Sequence, residues 1–331
     1  MRGIALLTRR PHNLALAFGR VSVLIWSMSM IAHVSVPATT ANLGPGFDCL
    51  GLALDLCNRI TVTVTASGQA IEITGEGDGA LPADSSNLVL QALEKLFDRV
   101  GRRPTGYHVR QENEIPVSSG LGSSASAVLG GLLAANALVD NPLDQHQLLE
   151  LAAELEGHPD NVSPALMGGL TLTLSNENGL VVERIPVPDQ RVAVVLPAFV
   201  LSTRAARQAL PTTVPFADAI FNIGRVGLLV RALEKGDYGR LAMAMEDRLH
   251  QPYRLPLIPG MAEAFKAGRD AGAAAVALSG AGPSVIAFAP EGHDEIAAAM
   301  GRAFGTAGLQ VRSWILPVRS QGSVVRLSGT S

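Results

Sequence analysis

The stretch of sequence that most restricts the possible folds is a glycine- and serine-rich turn, PVSSGLGSSAS at residues 116–126. It leads directly into the apolar segment AVLGGLLAANAL. This pattern predicts a helix from about Ser123 to Leu138. The helix would be apolar on nearly every side, and such helices are buried inside a domain. Five serines and two glycines are more than a simple turn requires, so the question is whether the turn binds a ligand.

A phosphate group is the ligand that suits this turn best. The start of a helix leaves up to about four backbone N–H groups unpaired and carries about half a positive charge. Gly120 and Gly122 have no side chain, so an anion can approach the backbone, and the serine hydroxyls supply further donors. The alternative is a plain serine N-cap. A cap needs one serine, whereas this turn contains five, and we therefore favour phosphate binding.

The common nucleotide-binding motifs fit the turn poorly. GLGSSA satisfies the pattern G-x-G-x-x-A, but a dinucleotide fold needs a hydrophobic strand that runs into the first glycine. Here the preceding segment, VRQENEIPVSS, is polar and is interrupted by Pro116. The ATPase loop is absent because the chain contains no Gly-Lys pair, and the hydrolase pattern G-x-S-x-G fails at Ser126.

The rest of the chain predicts an α+β protein with two lobes joined near residue 186. RITVTVTAS alternates like a half-buried strand, and IEIT, which follows Ser67-Gly68, would be its hairpin partner. SSNLVLQALEKLFDRVG has a helical apolar stripe, with Ser85 or Ser86 as the cap at its start and Gly101 at its end. The remaining predicted elements are a helix from Asp144 to Gly157, the strands GGLTLTLS and RVAVVLP, helices near 218–235 and 260–270, and the strand–turn–strand unit AAAVALSGAGPSVIAFA.

Charge and cysteine content limit the compartment and the partners. A net charge of −3 offers no basic face to nucleic acid. The two cysteines, Cys49 and Cys57, cannot build a metal cage or a disulfide framework, and they suit a reducing compartment. We therefore expect a cytoplasmic protein that binds neither nucleic acid nor membrane.

The first thirty residues differ in composition from the rest. They contain five arginine or histidine residues, no acid, and an apolar run from Val21, which is too short for a membrane span of about 20 residues. A signal or transit peptide has this composition. The alternative is a start codon assigned upstream of the true one, at Met28 or Met30. Both interpretations make residues 1–30 an extension outside the folded part.

Three segments resemble the motifs of the galactose, homoserine, mevalonate and phosphomevalonate (GHMP) kinase superfamily. They are VPATTANLGPGFDCLGLAL at 36–54, PVSSGLGSSASA at 116–127 and LSGAGPSVIAF at 278–288, and they occur in the superfamily's order. Within the superfamily, the segments EGHPDNVSPALMGG, STRAARQALP and QPYR are similar to those of the homoserine kinases.

The resemblance implies the two-lobed GHMP kinase fold of the α+β class. Its N-terminal lobe is like ribosomal protein S5 domain 2, and its C-terminal lobe is a ferredoxin-like α/β plait. We accordingly divide the chain into an N-terminal ATP-binding domain at 31–185, a C-terminal GHMP kinase domain at 186–318 and a tail at 319–331. The resemblance leaves a homodimer open.

The activity implied by the resemblance is ATP-dependent phosphorylation of the side-chain hydroxyl of L-homoserine. The product, O-phospho-L-homoserine, is a precursor in threonine biosynthesis. Two alternatives remain: a kinase of this fold for another small hydroxylated acceptor, such as mevalonate or a sugar, and a non-catalytic nucleotide-binding sensor. Homoserine is favoured over the other acceptors because it is a zwitterion, which matches two arginines and an acid, Arg207, Arg254 and Asp48. The presence of Glu156 and of the complete serine loop weighs against a sensor.

By the resemblance, residues 116–126 wrap the triphosphate of ATP, and the buried helix directs its N-terminus at it. The residues of this loop are Pro116, Val117, Ser118, Ser119, Gly120, Leu121, Gly122, Ser123, Ser124, Ala125 and Ser126. Mg²⁺ needs a hard oxygen ligand beside the phosphates. The family's metal-binding glutamate and loop serine match Glu156 with Ser123 or Ser124, and Glu154 is the alternative glutamate.

The acceptor site is also assigned by the resemblance. The family's carboxylate contacts match Thr203, Arg207 and Arg254, and the planar guanidinium of arginine can bind a carboxylate through two hydrogen bonds. The other substrate contacts that the resemblance implies are Asn42, Asp48, His158, Asn161, Gly280 and Gly282.

The catalytic residues are expected in and beside the segment HPDN. From the residues alone, Asp160 would be chosen as the base because it is an acid beside the phosphate site. In relatives such as mevalonate kinase, a catalytic aspartate occupies the position that Asn161 fills here, and an amide cannot accept the proton. We therefore predict that Asn161 aligns the hydroxyl, that Asp160 supports it, and that Glu156 acts through the metal.

Overall fold

The computed structural model describes residues 30–329. Apart from Met30, the extension predicted at 1–30 lies outside the described residues. The strands are β1 (Met30–Asn42), β2 (Gly46–Thr65), β3 (Gly68–Gly75), β4 (Gly106–Asn113), β5 (Leu170–Asn176), β6 (Gly179–Ile185), β7 (Arg191–Pro197), β8 (Ala275–Leu278), β9 (Val285–Phe288), β10 (Val311–Pro317) and β11 (Val324–Gly329). The helices are α1 (Leu88–Val100), α2 (Ser123–Leu138), α3 (Gln145–Glu156), α4 (Val162–Met167), α5 (Thr203–Gln208), α6 (Phe216–Lys235), α7 (Tyr238–Ala244), α8 (Gln251–Arg254), α9 (Met261–Asp270) and α10 (His293–Thr306).

The first lobe is a sheet covered by helices, with α2 at its centre. The sheet has the order β11-β1-β2-β4-β3, while β5 pairs with β2 and β6 pairs with β5. Every residue of α2 from Ala125 to Leu138 is buried, and α2 packs on β1, β2 and the three other helices of the lobe. The predicted bounds of this helix are confirmed, and so is its burial beyond the first two residues.

The second lobe is a four-stranded antiparallel sheet with the order β10-β7-β9-β8. Along the chain, β7 and the helices after it are followed by β8, β9, α10 and β10. This order, β-α-β-β-α-β, is typical of ferredoxin-like lobes. The predicted strand–turn–strand unit is confirmed, because β8 and β9 pair from Ala275–Phe288 to Leu278–Val285. The two-lobed α+β fold is therefore confirmed.

Two local predictions for the first lobe are wrong. β3 does not form a hairpin with β2. It continues through α1 into β4, which lies between them and runs parallel to β3. The cap of α1 is neither Ser85 nor Ser86 but Asn87, whose side chain accepts from the backbone N–H of Val89 at 2.8 Å. Ser86 instead donates its hydroxyl to Asp84.

The two lobes are joined by packing and by the end of the chain. One hydrophobic cluster contains residues of both sheets, including Leu50 and Leu52 from β2 and Val192 and Val194 from β7. Part of the segment that we separated as a tail forms β11, which returns to the first sheet and pairs antiparallel with β1. Among the described helices, none combines the length and apolar character needed to cross a membrane.

Candidate active site

A cavity of about 390 Å³ lies where the first lobe meets the second. Its wall includes the glycine- and serine-rich loop, the segment after α3, the start of α5 and the turn between β8 and β9. The structure therefore brings together residues that are more than 200 positions apart in the chain. The predicted residues that line it are Val117, Ser118, Ser119, Gly120, Gly122, Ser123, Ser124, Asn42, Asp48, Glu156, His158, Asp160, Asn161, Thr203, Arg207, Arg254, Gly280 and Gly282.

The start of α2 faces this cavity without a side-chain cap. The N-cap position is occupied by Gly122 in a left-handed conformation (φ 71°), and no side chain accepts a hydrogen bond from the first turn. The first-turn N–H groups at Ser123 and Ser124 therefore lie at the cavity wall. A plain serine N-cap, the alternative that the sequence left open, is not formed.

The remaining loop residues pack behind the cavity wall. Pro116, Leu121, Ala125 and Ser126 are buried. The serines differ accordingly, because Ser119 donates to the Pro116 carbonyl at 2.7 Å while Ser124 is exposed. The loop thus combines residues that hold its shape with residues that are open to a ligand.

The turn between β8 and β9 holds the loop in place. Ser279 donates its hydroxyl to the Gly120 carbonyl at 2.7 Å, and the backbone N–H of Ser284 donates to the Ser119 carbonyl at 3.1 Å. A Cβ atom on Gly120 would collide with the Ser279 carbonyl oxygen, and Gly120 has φ 81°. Gly120 is therefore required both for its backbone conformation and for this close approach.

Glu156 and Ser124 form a hydrogen-bonded pair beside the loop. The Ser124 hydroxyl donates to the Glu156 carboxylate at 2.8 Å. Burial raises the pKa of Glu156, and the hydrogen bond from Ser124 opposes that rise. The Ser123 hydroxyl instead points to the Ile115 carbonyl at 3.5 Å, and Glu154 is bound to Lys95 at 2.8 Å.

This donor set fits Mg²⁺ bound together with phosphate. Mg²⁺ is usually held by one or two carboxylates, with waters and substrate phosphates completing its coordination. Within residues 30–329, no group of three or more histidine, cysteine, aspartate or glutamate side chains could enclose a metal ion. One carboxylate and one hydroxyl at the loop therefore suit a metal that enters with the nucleotide.

At another part of the cavity wall, Arg207 and Asp48 bind each other. The two guanidinium Nη atoms donate to the two carboxylate oxygens at 2.8 and 2.9 Å. The hydrogen bond to Asp48 raises the pKa of Arg207. Both residues were predicted to contact a zwitterion. Their ion pair supplies a cation for a carboxylate and an anion for an ammonium group.

Arg254 is a second cation at this end, and its side chain is almost completely buried at 1% exposure. It donates from Nε to the Ala206 carbonyl and from Nη1 to the Gly280 carbonyl, both at 3.3 Å. Burial lowers the pKa of Arg254 to about 10, and the charge of Arg207 adds to this effect. Phe47 lies near both arginines, with its ring centre 5.0 Å from Arg254 Cζ and 5.6 Å from Arg207 Cζ.

Asn42 fixes the turn that carries Asp48. Its side chain donates to the Gly280 carbonyl at 2.9 Å and accepts from the Asp48 backbone N–H at 2.9 Å. Asn42 (φ 71°) and Asp48 (φ 57°) both adopt the left-handed conformation, which asparagine and aspartate tolerate better than most residues. The sequence pattern therefore determines where the Asp48 carboxylate lies.

Asn161 and Asp160 are linked to each other and to neighbours. Asn161 donates to Asp160 at 3.3 Å and accepts from the Thr39 hydroxyl at 2.8 Å. His158 Nδ1 lies 3.0 Å from Asp160 Oδ1, and this contact raises the pKa of His158. Thr39 was not predicted as a site residue, although it lies within the motif at 36–54. A Cβ atom on Gly122 would collide with its hydroxyl oxygen.

A further part of the cavity wall was not predicted from the sequence. That part is lined by apolar and amide side chains from the segment before α1, from the start of α1, from β4 and from α2, namely Leu81, Pro82, Asn87, Leu88, Gln111 and Ala127. Apart from Ala127, these residues belong to none of the quoted motifs. The only signal for them in the sequence is the pair Leu81-Pro82 in an otherwise polar loop.

Comparison with protein families matches both lobes. The family described as GHMP kinases N terminal domain matches residues 87–169, and GHMP kinases C terminal matches residues 229–306. The chain is 46% identical over 293 residues to homoserine kinase of Moorella thermoacetica, covering 88% of this chain and 99% of that protein. It is 46% identical over 270 residues to homoserine kinase of Carboxydothermus hydrogenoformans, covering 82% of this chain and 87% of that protein.

Solved structures agree with these matches. The crystal structure of homoserine kinase from Cytophaga hutchinsonii superimposes with a TM-score of 0.82 at 34% identity, covering 91% of this chain and 98% of that one. Mevalonate kinase of L. major in complex with R-mevalonate has the same fold, with a TM-score of 0.68 at 18% identity, covering 86% and 94% of the two chains.

Proposed function

This chain belongs to the homoserine kinases of the GHMP kinase family, and from that membership we propose that it transfers a phosphate group from ATP to the side-chain hydroxyl of L-homoserine. The product is O-phospho-L-homoserine, which is used in threonine biosynthesis. The observation that carries the proposal is a cavity in which an uncapped helix start and two arginines with an aspartate face the same space. A kinase needs both an anion-binding and an acceptor-binding end.

The loop and the start of α2 would bind the phosphates of ATP. Gly120 and Gly122 leave the backbone open, and the N–H groups of the first turn of α2 are donors suited to anionic oxygens. The apolar and amide end of the cavity, near Leu81 and Asn87, would hold the nucleoside.

Mg²⁺ would be held by Glu156 and Ser124. When bound, the ion neutralises negative charge on the phosphate groups. The raised pKa of Glu156 is consistent with a carboxylate that gains from a cation beside it. The Ser124 hydroxyl keeps the carboxylate in place through its hydrogen bond.

The acceptor would bind between Arg254 and the pair formed by Arg207 and Asp48. Arg254 uses Nε and Nη1 for backbone carbonyls, so its remaining Nη2 donors suit the homoserine carboxylate. Asp48 offers an anion to the ammonium group. Asn161, fixed by Thr39 and Asp160, would orient the hydroxyl toward the phosphate. Phosphoryl transfer depends mainly on such positioning and on charge neutralisation.

The test is ADP release with a panel of hydroxylated acceptors at equal concentration: L-homoserine, mevalonate, galactose and shikimate. We expect L-homoserine to give the highest kcat/KM because it alone carries both charges that the acceptor end matches. Faster turnover of another acceptor would disprove the substrate assignment, and no turnover of any acceptor would favour a nucleotide-binding sensor.

We also place this reaction in the cytoplasm. The two cysteines are free thiols, and Cys57 is buried, as suits a reducing compartment. Fractionation of the source cell, followed by detection of the chain in the soluble cytoplasmic fraction, tests this placement.

A further inference from the structure

A fully buried histidine, His250, lies directly behind the acceptor end of the cavity. Its Nε2 atom is 2.7 Å from the Gly44 carbonyl oxygen and 3.5 Å from a carboxylate oxygen of Asp247. Its Nδ1 atom is 3.4 Å from Nη1 of Arg254. The ring stacks on Phe47, with 5.1 Å between centroids and 29° between planes. His250 therefore contacts both the turn that carries Asp48 and the buried arginine.

The partners of the two ring nitrogens determine its protonation state. Arginine has only donors, so Nδ1, which faces Arg254, must present a lone pair. Nε2 faces two acceptors and must carry the proton. His250 is therefore the neutral tautomer with hydrogen on Nε2, donating to the Gly44 carbonyl and accepting from Arg254.

Asp247 fixes the backbone on which this histidine lies. Its carboxylate has no exposed surface and accepts from the backbone N–H groups of Leu249, His250 and Gln251 at 2.8, 3.0 and 2.6 Å. It also accepts from Asn222 of α6 at 2.8 Å. With the backbone held in this way, the direction of the His250 ring is determined by its two ring contacts.

We propose that His250 is a positioning residue for acceptor binding, which holds Arg254 toward the cavity and ties it to the turn at residues 44–48. This inference rests on the proposed function for the identity of the acceptor. The side chain does not line the cavity itself, so it acts through Arg254, Phe47 and Gly44. What distinguishes His250 from a histidine that only fills space is its partner, because Arg254 lines the cavity.

The proposal has a consequence for pH dependence. Burial lowers the pKa of His250, the charge of Arg254 acts in the same direction, and Asp247, Asp48 and the Gly44 carbonyl oppose it. Protonation would place an N–H group against the N–H groups of Arg254 and add a second cation beside it. We therefore expect homoserine binding to weaken only as the pH falls through this lowered pKa, which lies on the acid side of the usual value for histidine.

Linkage gives the same sign for folding stability. Because the folded pKa lies below the unfolded one, the unfolded chain binds more protons in the interval between them. The contribution of His250 to stability is therefore complete above about pH 6.5 and is lost as the pH falls through the folded pKa.

The experiment compares His250→Gln and His250→Asn with wild type, measuring kcat and both KM values from pH 5 to 8.5. His146→Gln is the matched control, because the Nε2 atom of His146 also contacts a backbone carbonyl, that of Leu180 at 2.8 Å, on an exposed surface. The amide of Gln reaches the Nε2 position and keeps the contact with Gly44, whereas the amide of Asn reaches the Nδ1 position and keeps the contact with Arg254.

We expect His250→Gln to raise the KM for homoserine about tenfold or more, as the loss of a hydrogen bond to a charged group typically does. The KM for ATP should stay within about twofold, since the phosphate end does not depend on this contact. His250→Asn should raise the homoserine KM less. The acid-side loss of kcat/KM for homoserine in wild type should disappear in His250→Gln. It should persist in the control His146→Gln, which lies on an exposed surface outside the cavity.

Equal rises in both KM values, or a homoserine KM like that of His146→Gln, would overturn the proposal. If neither variant folds, NMR of the His250 ring nitrogens in wild type decides, because a proton on Nδ1 instead of Nε2 is incompatible with the proposed contacts to Arg254 and Gly44. If wild type fails to phosphorylate homoserine, the proposed function is wrong. The same variants are then measured with the acceptor that the panel identifies. If they raise the KM for that acceptor and the KM for ATP equally, the positioning role is also wrong.

Discussion

The phosphate end and the acceptor end of the cavity are built from different chemical groups. The phosphate end consists mainly of backbone, with Gly120 and Gly122 in a loop that opens onto the start of α2, and one carboxylate, Glu156, beside it. The acceptor end consists of charged side chains that bind each other or nearby carbonyls. The difference teaches that a backbone site is visible in a local sequence pattern, whereas a charged site depends on partners that are distant in the chain.

The sharpest test of this division is Glu156→Gln. This variant keeps the size and the hydrogen bonding of the side chain but removes its charge. We expect kcat to fall roughly 100-fold or more, as the loss of a charge contact in the transition state typically causes, while the homoserine KM changes little. Steady-state ADP release measures both constants.

The control for that variant is Glu154→Gln, since Glu154 is exposed and binds Lys95 away from the cavity. It should retain full activity. If Glu156→Gln keeps the wild-type kcat, the metal ligand lies elsewhere. Glu156 would then not be the charged residue of the phosphate end.

The second test is Arg207→Ala at the acceptor end. We expect the homoserine KM to rise about tenfold or more, with little change in the KM for ATP, because Asp48 loses its partner and the carboxylate of the substrate loses a cation. Arg204→Ala on the same helix is the control, since Arg204 is exposed and does not line the cavity. A similar rise in both KM values would mean that Arg207 stabilises the fold instead of the acceptor.

The smallest effect is expected for Asp160→Asn, which lies where the two ends meet. We predict less than about a tenfold loss of kcat, because positioning and charge neutralisation carry phosphoryl transfer and Asn161 remains in place. The pKa of His158, measured by NMR titration, should fall, since the contact with Asp160 is the main cause of its rise. A loss of about 10⁴-fold in kcat, together with loss of an acidic limb, would instead identify Asp160 as the general base.

Local pattern was sufficient for the elements whose ends are determined by their own residues. The predicted helix between Asp144 and Gly157 is α3, where Asp144 forms a capping box with Gln147 and Gly157 adopts the left-handed conformation at its end. The start of α1 was misplaced because SSN offers three successive residues able to cap a helix, and only tertiary contacts choose among them. Asn87 is selected because its amide also reaches the Pro82 carbonyl and Gln111.

Residues whose role depends on a distant partner could not be found in this way. The hairpin prediction failed because β4, which is more than 30 positions beyond β3 in the chain, lies between β2 and β3 and pairs with both. Thr39 gains its role from Asn161, which is 122 positions away. His250 gains its role from Gly44, which is 206 positions away. The charged residues of the acceptor end were recognised through their motifs and not from local chemistry.

The contacts between the turn at 279–284 and the phosphate loop have a consequence for how the molecule unfolds. Ser279 and Ser284 join the second lobe to the loop of the first, and Gly280 donates to the Ala41 carbonyl at 3.1 Å. Together with the hydrophobic cluster shared by both sheets, these bonds mean that neither lobe can melt while the other keeps all of its contacts. Calorimetry should accordingly record one endotherm whose van't Hoff and calorimetric enthalpies agree, so that the two lobes count thermodynamically as a single folding unit.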